Sequence, residues 1–492
     1  MKIIDVVIII GAFTILSYSI NLPYTGQHDW NSVMYANIAR NHLRYGLLQT
    51  KLGMLTTYDR VTPDLFGFFT HYPPLMPLLL ALSFFLFGIT QWAGRLVPIL
   101  SSVVMIYFLF KLAQSLWDTR TGILTGIFLV FSPMLLYYSK IPVHETVVLG
   151  FLAMTLWFYI RWLKSGSRQD YWLMFVNLLL SQLTSWAGFY LSGYLPVHAI
   201  INSRSNLSKR KWFLTGIFIL APVIFILHNL HVFWLEGVKA QQSMFEVMLF
   251  RLNIGATAKP YGLTLSSFID RQAYWINLYF TPIMITLSLI WLIVFISRRA
   301  SRIKLALPES IIFLLLVFGF THNLIFRHLA FIHDYMLIYA LPFFALSSGV
   351  TLNWLYGLAI KKTRFAPAGI LVILTTFILA GLPLVKQLFH SGDNNPAYRL
   401  GLSLNQSTKS GDTIIITSIE FMRFYDIFLR FYSDRVISAT DKLRPSDFTN
   451  YDHIVMPKSY NFLSDADRQF LYNHYTHADI AGGTLFDTRQ PL

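Results

Sequence analysis

Long apolar runs alternate with short polar breaks over most of the chain. Each of these runs, at about 20 residues, is long enough to cross roughly 30 Å of hydrocarbon. They cover residues 3–20, 93–112, 120–138, 145–162, 170–186, 187–202, 212–231, 273–297, 307–325, 333–352 and 366–388. The pattern therefore predicts a mainly α, polytopic membrane protein with about 11 transmembrane helices.

The first polar break is unusually long and spans residues 21–92. Within it, residues 29–47 carry apolar positions at helical spacing, which predicts a helix. Residues 73–88 are apolar but short for a crossing, begin with a proline pair and end at Gly88. We expect both to be interfacial helices of the first outer loop.

Composition and the placement of charge support this topology. The 492 residues are 55% hydrophobic and 13% charged, whereas soluble domains are about a quarter charged. The net charge of +15 lies mainly in short basic loops at every second boundary, which follows the positive-inside rule. We therefore predict a multi-pass protein of the cell membrane with a cytoplasmic N-terminus, and no nucleic-acid partner.

The last hundred residues change character. Residues 412–417 and 453–457 are typical of buried strands, and 421–432 and 464–474 of helices. The sequence therefore predicts a transmembrane module over 1–388 and a small α/β domain over 389–492. An odd number of spans places that domain outside the cytoplasm.

Ionisable residues of the predicted outer loops are the candidates for chemistry, because such residues are costly near a membrane. The chain has no cysteine, which excludes a thiol nucleophile and thiolate metal sites. The candidates are His28, Asp29, His71, Tyr72, His144, Glu145, Lys259, Arg271, Arg327, His333 and Asp334.

Several candidates have a structural alternative. Asp29 could cap the helix that follows it. Glu145 could cap the fourth span or pair with Lys140, and the basic residues of 239–271 could simply solvate a loop.

Five motifs together resemble the GT-C superfamily of membrane glycosyltransferases. They are His28-Asp29 with Tyr35 and Ile38-Ala39-Arg40; His71-Tyr72-Pro73-Pro74-Leu75; Trp92, Arg95-Leu96 and Pro98; Phe131-Ser132-Pro133 with Tyr137-Tyr138-Ser139-Lys140; and His333-Asp334-Tyr335. The branch resembled includes the protein O-mannosyltransferases and the lipid A aminoarabinose transferase. The resemblance is clearest over residues 20–165.

The resemblance implies transfer of a sugar from a polyprenyl-phosphate carrier to a lipid, glycan or protein acceptor at the outer membrane face. It makes Asp29 the general base and Glu145 the acid of the second outer loop. The pair His71-Tyr72 stands where some relatives hold a phosphate-contacting lysine, and Trp30 stands where several have a second carboxylate. For the donor phosphate we add Arg271, Lys259 and Arg327 as candidate cations.

This chemistry needs a base for the acceptor proton and cations for the departing phosphate; a general base alone contributes about 10²–10⁴-fold. The remaining outer-face candidates are His28, His144, His333 and Asp334, and a divalent metal ion at Asp29 or Glu145 is left open. The alternatives are a transporter or flippase of lipid-linked glycans, a scaffold with a degenerate site, and an oligosaccharyltransferase. A transporter should carry charges at mid-membrane depth in related halves, and the sequence has no such pattern.

Overall fold

The structure, a computed structural model, describes residues 3–59, 62–202, 207–252, 254, 263–301, 306–444 and 446–492, with the backbone alone for 207–210. The α-helices of these described ranges are, in chain order, α1 (Ile3–Leu16), α2 (Asp29–Tyr45), α3 (Leu75–Phe87), α4 (Gln91–Leu116), α5 (Thr119–Val130), α6 (Pro133–Tyr138), α7 (His144–Ser165), α8 (Arg168–Thr184), α9 (Ala187–Asn202), α10 (Leu207–Glu236), α11 (Val238–Arg251), α12 (Leu265–Ala300), α13 (Leu307–Ile325), α14 (Arg327–Ile332), α15 (Leu341–Ala359), α16 (Ala366–His390), α17 (Pro396–Ser407), α18 (Ile419–Ser433), α19 (Asp447–Asn450) and α20 (Asp465–His474).

The strands are short and belong to two sheets. They are β1 (Met54–Leu55), β2 (Phe68–Phe69), β3 (Thr413–Ile416), β4 (Val436–Ala439), β5 (His453–Pro457), β6 (Tyr475–Ile480) and β7 (Gly483–Pro491). Two 3₁₀ helices, Pro63–Leu65 and Asp334–Ala340, complete the regular structure of the described ranges.

The predicted helical character of the apolar runs is confirmed. Seven segments of the described chain are long and apolar enough to cross a membrane: Gln91–Leu116, His144–Ser165, Lys211–Glu236, Leu265–Ala300, Leu307–Ile325, Asp334–Ala359 and Ala366–His390. Three further apolar helices, α1, α3 and α5, are shorter. The number of about 11 crossings and the interfacial position of α2 and α3 stay predictions.

Two of the predicted spans are interrupted. The run 120–138 divides into α5 and α6 because Ser132 caps α6, its Oγ accepting from the Leu135 amide at 3.1 Å, and Pro133 opens the helix. Helix α12 is broken at Thr281, which has φ 59° and ψ 153° and precedes Pro282. Proline has no amide hydrogen to donate to the carbonyl oxygen one turn earlier, so the helix kinks there.

The chain divides into two compact units. The first comprises Met1–Ile20 and Thr70–Gln387, and the second comprises Asn21–Phe69 and Leu388–Leu492. Residues 21–69 of the first outer loop thus belong to the same unit as the C-terminal region, whereas residues 70–92 belong to the first unit. The functional division at residue 388, with an extracytoplasmic domain after it, stays a prediction.

Close helix packing characterises the first unit. A Cβ atom at Gly150 of α7 would lie 2.5 Å from the Ser101 Oγ and 2.9 Å from the Ser101 carbonyl oxygen of α4. The Ser101 Oγ also donates to the Val147 carbonyl oxygen at 2.5 Å. Small and hydroxyl residues at a helix interface let two backbones approach, and this contact fixes α4 next to the first turns of α7, where His144 and Glu145 lie.

The second unit is built on a five-stranded sheet with the order β4-β3-β5-β7-β6, in which β3 is parallel to β4 and β5 while β7 is antiparallel to β5 and β6. Ile414 and Ile416 face a core with α17 and α18, whereas Ile415 faces a second core that includes Leu471 of α20. Alternate side chains of a strand point to opposite faces. The predicted α/β character, with the strands near 413 and 453 and the helices near 421 and 465, is confirmed.

Candidate functional site

In the first unit, the segment before α3 is fixed by hydrogen bonds from the turn between α8 and α9 and from α10. The Trp186 indole nitrogen donates to the His71 carbonyl oxygen at 2.7 Å, and the Nε2 of His228 lies 3.2 Å from the Thr70 carbonyl oxygen. Pro74 then precedes the first residue of α3. The side chains of His71 and Tyr72 are therefore held in place by backbone contacts on the N-terminal side of that helix.

Tyr72 joins this segment to the start of α7. Its hydroxyl donates to the Glu145 Oε1 at 3.2 Å, and its ring stacks on the His144 ring at 4.4 Å between centroids and an angle of 9°. The Nδ1 of His144 lies 2.6 Å from the Thr184 carbonyl oxygen. The first turn of a helix favours an acid, and Glu145, which is 4% exposed, occupies that turn. The structure thus brings three predicted site residues together.

A cavity of about 170 Å³ lies beside this cluster in the first unit. Its walls are mostly aromatic and apolar side chains from α9, α10, α11, α13 and α14, together with His71 and Tyr72. The lining residues are His71, Tyr72, Trp186, Phe189, Tyr190, Phe225, Met244, Val247, Met248, Arg251, His322, Phe326 and Leu329.

Arg251 supplies the positive charge of the cavity wall. It lies in the last turn of α11, and its guanidinium carbon is 5.8 Å from the centre of the Tyr72 ring. Burial, followed by the charge of Arg251, lowers the pKa of His71 to about 4. At neutral pH His71 is therefore an uncharged hydrogen-bonding group, and the cation of this cavity is Arg251.

A second polar group of the cavity is a histidine. The Nδ1 of His322 lies 3.0 Å from the Tyr190 hydroxyl, whereas its buried Nε2 has no hydrogen-bond partner among the described residues. A buried polar atom without a partner costs free energy. A ligand with an oxygen in the cavity would satisfy it.

Asp29 lies in the second unit and closes a loop. It is the first residue of α2, and its Oδ2 accepts from the amides of Thr25 at 3.1 Å and Gly26 at 2.9 Å. Its Oδ1 accepts from the Ser32 Oγ at 2.6 Å. The carboxylate therefore stabilises the turn before the helix, and the structural alternative of a helix cap stays a prediction. A carboxylate oxygen has two lone pairs, and the two amides use both of those on Oδ2.

His28 precedes Asp29 in a left-handed conformation, with φ 61° and ψ 9°. This region is uncommon for residues other than glycine, and such residues cluster at functional sites. The side chain makes no capping hydrogen bond to α2.

The other candidates lie apart from the cavity lining. The Arg271 guanidinium donates to the Phe331 carbonyl oxygen at 3.1 Å and stacks on the Phe331 ring at 4.3 Å. Arg327 is exposed at the start of α14, and Lys259 lies outside the described residues. Their assignment to a donor phosphate stays a prediction.

His333 and Asp334 serve a buried polar contact in the first unit. Asp334 accepts from the hydroxyls of Tyr138 at 2.8 Å and Tyr279 at 2.5 Å, and so joins α6, α12 and the second 3₁₀ helix. The His333 ring packs against Tyr335 at 5.0 Å. This geometry supports a structural role for Asp334.

Within the described ranges, no three histidine or acidic residues lie close enough together to hold a metal ion. The divalent metal ion at Asp29 or Glu145 stays an open question of the sequence analysis.

The sequence did not single out Arg251 or His322. Arg251 was one cation among several in a long outer loop, and His322 lay inside an apolar run. Locally, Arg251 is the last residue of α11, and nothing in the neighbouring sequence indicates what it contacts. Its approach to Tyr72 is a tertiary contact, about 180 residues apart in the chain.

Comparisons with known proteins agree with this architecture. A family model of dolichyl-phosphate-mannose-protein mannosyltransferases matches residues 71–228. No curated protein sequence matches the chain.

Solved structures give the fold over the whole chain. ArnT from Cupriavidus metallidurans, bound to undecaprenyl phosphate, superimposes with a TM-score of 0.64 at 14% identity, over 98% of this chain and 97% of that protein. The Archaeoglobus fulgidus oligosaccharyltransferase with Zn and sulfate gives 0.56 at 14% identity, over 98% and 73%. AglB from the same organism, with an inhibitory peptide and a dolichol-phosphate, gives 0.53 at 13% identity, over 99% and 74%.

The fold and the apolar helices define a class: this is a multi-pass membrane protein with the GT-C glycosyltransferase fold. The resemblance to the GT-C superfamily that the sequence motifs predicted is confirmed.

Proposed function

We propose that the protein transfers a sugar from a polyprenyl-phosphate donor to a lipid, glycan or protein acceptor at the outer face of the cell membrane. The proposal rests on the position of Arg251, a cation on the wall of an apolar cavity beside the Tyr72–Glu145 contact. An apolar cavity with one fixed cation suits an amphiphilic anion. The phosphoprenyl ligands of the similar ArnT and AglB structures support this choice of donor.

The proposed reaction has three parts. Asp29 takes the proton from the acceptor hydroxyl, and the acceptor oxygen attacks the anomeric carbon. The bond from that carbon to the phosphate oxygen breaks, and the electron pair stays on the prenyl phosphate. Attack opposite the leaving phosphate inverts the anomeric centre.

Each proposed residue has a physical task. Arg251 stabilises the charge that develops on the leaving phosphate. The Nε2 of His322 and the neutral His71 ring offer hydrogen bonds to phosphate oxygens. Glu145 orients the Tyr72 hydroxyl.

The test uses the purified full-length protein in lipid nanodiscs. It is incubated with a panel of undecaprenyl-phosphate sugars, including mannose and aminoarabinose, and a panel of hydroxyl and amine acceptors. Mass spectrometry follows both products. We expect released undecaprenyl phosphate together with an acceptor that has gained one sugar.

The variant Arg251→Ala should lose this activity, while Lys239→Ala, an exposed cation on the same helix, should keep it. Movement of a labelled donor across a vesicle membrane with no acceptor product would instead support a flippase and contradict the proposal.

A further inference from the structure

Within the second unit, the residues that lead from α16 into the C-terminal sheet lie against the loop that carries Asp29. The Gln27 amide donates to the Ser391 Oγ at 2.8 Å, and the Ser391 Oγ donates to the Leu388 carbonyl oxygen at 2.7 Å. The Ser391 hydroxyl therefore links the loop before α2 to the C-terminal end of α16, although Gln27 and Ser391 are more than 360 residues apart in the sequence.

Gly392 packs directly against the backbone of the loop before α2. A Cβ atom there would lie 2.2 Å from both the carbonyl carbon and the carbonyl oxygen of Thr25, and 2.5 Å from the Gly26 amide nitrogen. These are backbone atoms, so a side chain at position 392 cannot be accommodated by rotation of a neighbour. The loop itself would have to move.

The backbone that Gly392 contacts is the backbone that holds Asp29. The amides of Thr25 and Gly26 are the two donors to the Asp29 Oδ2. A displacement of that peptide changes where the carboxylate points, although Gly392 lies several bonds from Asp29.

A third contact fixes the other end of the loop. The Tyr24 amide donates to the Tyr432 hydroxyl of α18 at 2.7 Å, and the Tyr24 side chain is fully buried. The C-terminal region therefore holds the loop at Tyr24, at Thr25–Gly26 and at Gln27, immediately before the proposed base.

We infer that Gly392 is a positioning residue for sugar transfer, and that the C-terminal region of the second unit sets the direction of the Asp29 carboxylate. The inference rests on the proposed role of Asp29 as the base. It assigns the C-terminal region a part in catalysis through Gly392 and Ser391.

The first experiment measures the hydrogen bonding of the loop before α2 directly and needs no substrate. Hydrogen–deuterium exchange is measured on the full-length protein in nanodiscs for peptides covering residues 22–32, in wild type, Gly392→Ala and Gly411→Ala. Gly411 is an exposed glycine of the same unit with nothing within 4 Å of an added Cβ. We expect exchange about tenfold faster or more in Gly392→Ala only, since lost hydrogen bonds expose the amides.

The second experiment measures kcat and the donor KM with the undecaprenyl-phosphate sugar that the wild type consumes. Gly392→Ala should lower kcat about 10–100-fold with the donor KM within about twofold of wild type, because misorientation affects the transition state more than donor binding. Ser391→Ala should show a smaller loss, and Ser391→Thr, which keeps the hydroxyl, should restore turnover. If Gly392→Ala does not fold, the comparison of Ser391→Ala with Ser391→Thr tests the inference instead.

The outcomes separate this inference from the proposed function. Unchanged exchange in Gly392→Ala, or exchange that rises without loss of kcat, overturns the role of Gly392 while the base is unaffected. Full turnover in Asp29→Asn overturns the base itself. The asparagine can keep the loop contacts, because its amide oxygen accepts from Thr25 and Gly26 and its NH₂ donates to Ser32.

Discussion

Removal of the Arg251 charge should weaken binding of the prenyl phosphate strongly. A phosphate in contact with the guanidinium would lie about 5 Å away, centre to centre, where a unit charge pair contributes about 3 kcal/mol at an effective dielectric constant of about 20. A charge-assisted hydrogen bond of about 1.5–3 kcal/mol leads to the same range. Since 1.4 kcal/mol is tenfold in affinity, Arg251→Ala should raise the Kd about 10–100-fold.

The assay is titration of undecaprenyl phosphate into protein-loaded nanodiscs, followed by native mass spectrometry. Arg251→Lys should recover part of the affinity, because it keeps the charge and loses the planar two-point contact. Lys239→Ala removes an equal charge from the exposed part of the same helix and should bind as wild type does. Binding within about twofold of wild type in Arg251→Ala would refute the assignment of Arg251 to the phosphate.

Three further predictions concern pH, stability and topology. Burial lowers the pKa of His42 to about 4, against 6.5 when exposed. Between these pH values the unfolded state binds a proton that the folded state does not, so the unfolding free energy should fall by about 3 kcal/mol as the pH drops from 6.5 to 4. Thermal unfolding of His42→Gln should lack most of this pH dependence. Asp434 pairs with Arg40 at 3.2 Å and Arg44 at 2.5 Å, so Asp434→Ala should lower the unfolding free energy by about 1–3 kcal/mol in calorimetry, and a loss no larger than that of the exposed Asp465→Ala would contradict this. Reporter tags after Arg299 and Lys362 should mark the cytoplasm and a C-terminal tag the outside; a cytoplasmic C-terminal tag would mean an even number of crossings.

The sequence predicted most helices because an apolar run of span length has few other stable structures. It failed to divide residues 120–138, since the effect of Ser132 and Pro133 is local and the run stays apolar on both sides. Strands β6 and β7 were not predicted. Residues 475–480 are exposed or half-buried and include the polar Thr476, His477 and Asp479, and only pairing with β7 makes them a strand.

The candidate site was predictable in part. The segment at His71-Tyr72 and the acid Glu145 stand out as polar residues beside apolar runs, and the structure brings them together through the Tyr72 hydroxyl. Arg251 could not be distinguished from other loop cations, because the same residue in the last turn of a surface helix also stabilises the helix dipole. The contact of Gly392 with Thr25 depends on the fold of the second unit, and a single glycine gives no sign of it in the sequence.

The most direct test of the central claim is single-turnover transfer by Asp29→Asn, with Asp64→Asn as the control. Asp64 is an exposed acid of the first outer loop. Loss of a general base should slow the chemical step about 10²–10⁴-fold in Asp29→Asn, with donor binding unchanged, and Asp64→Asn should react as wild type does. Transfer at the wild-type rate by Asp29→Asn would contradict the account.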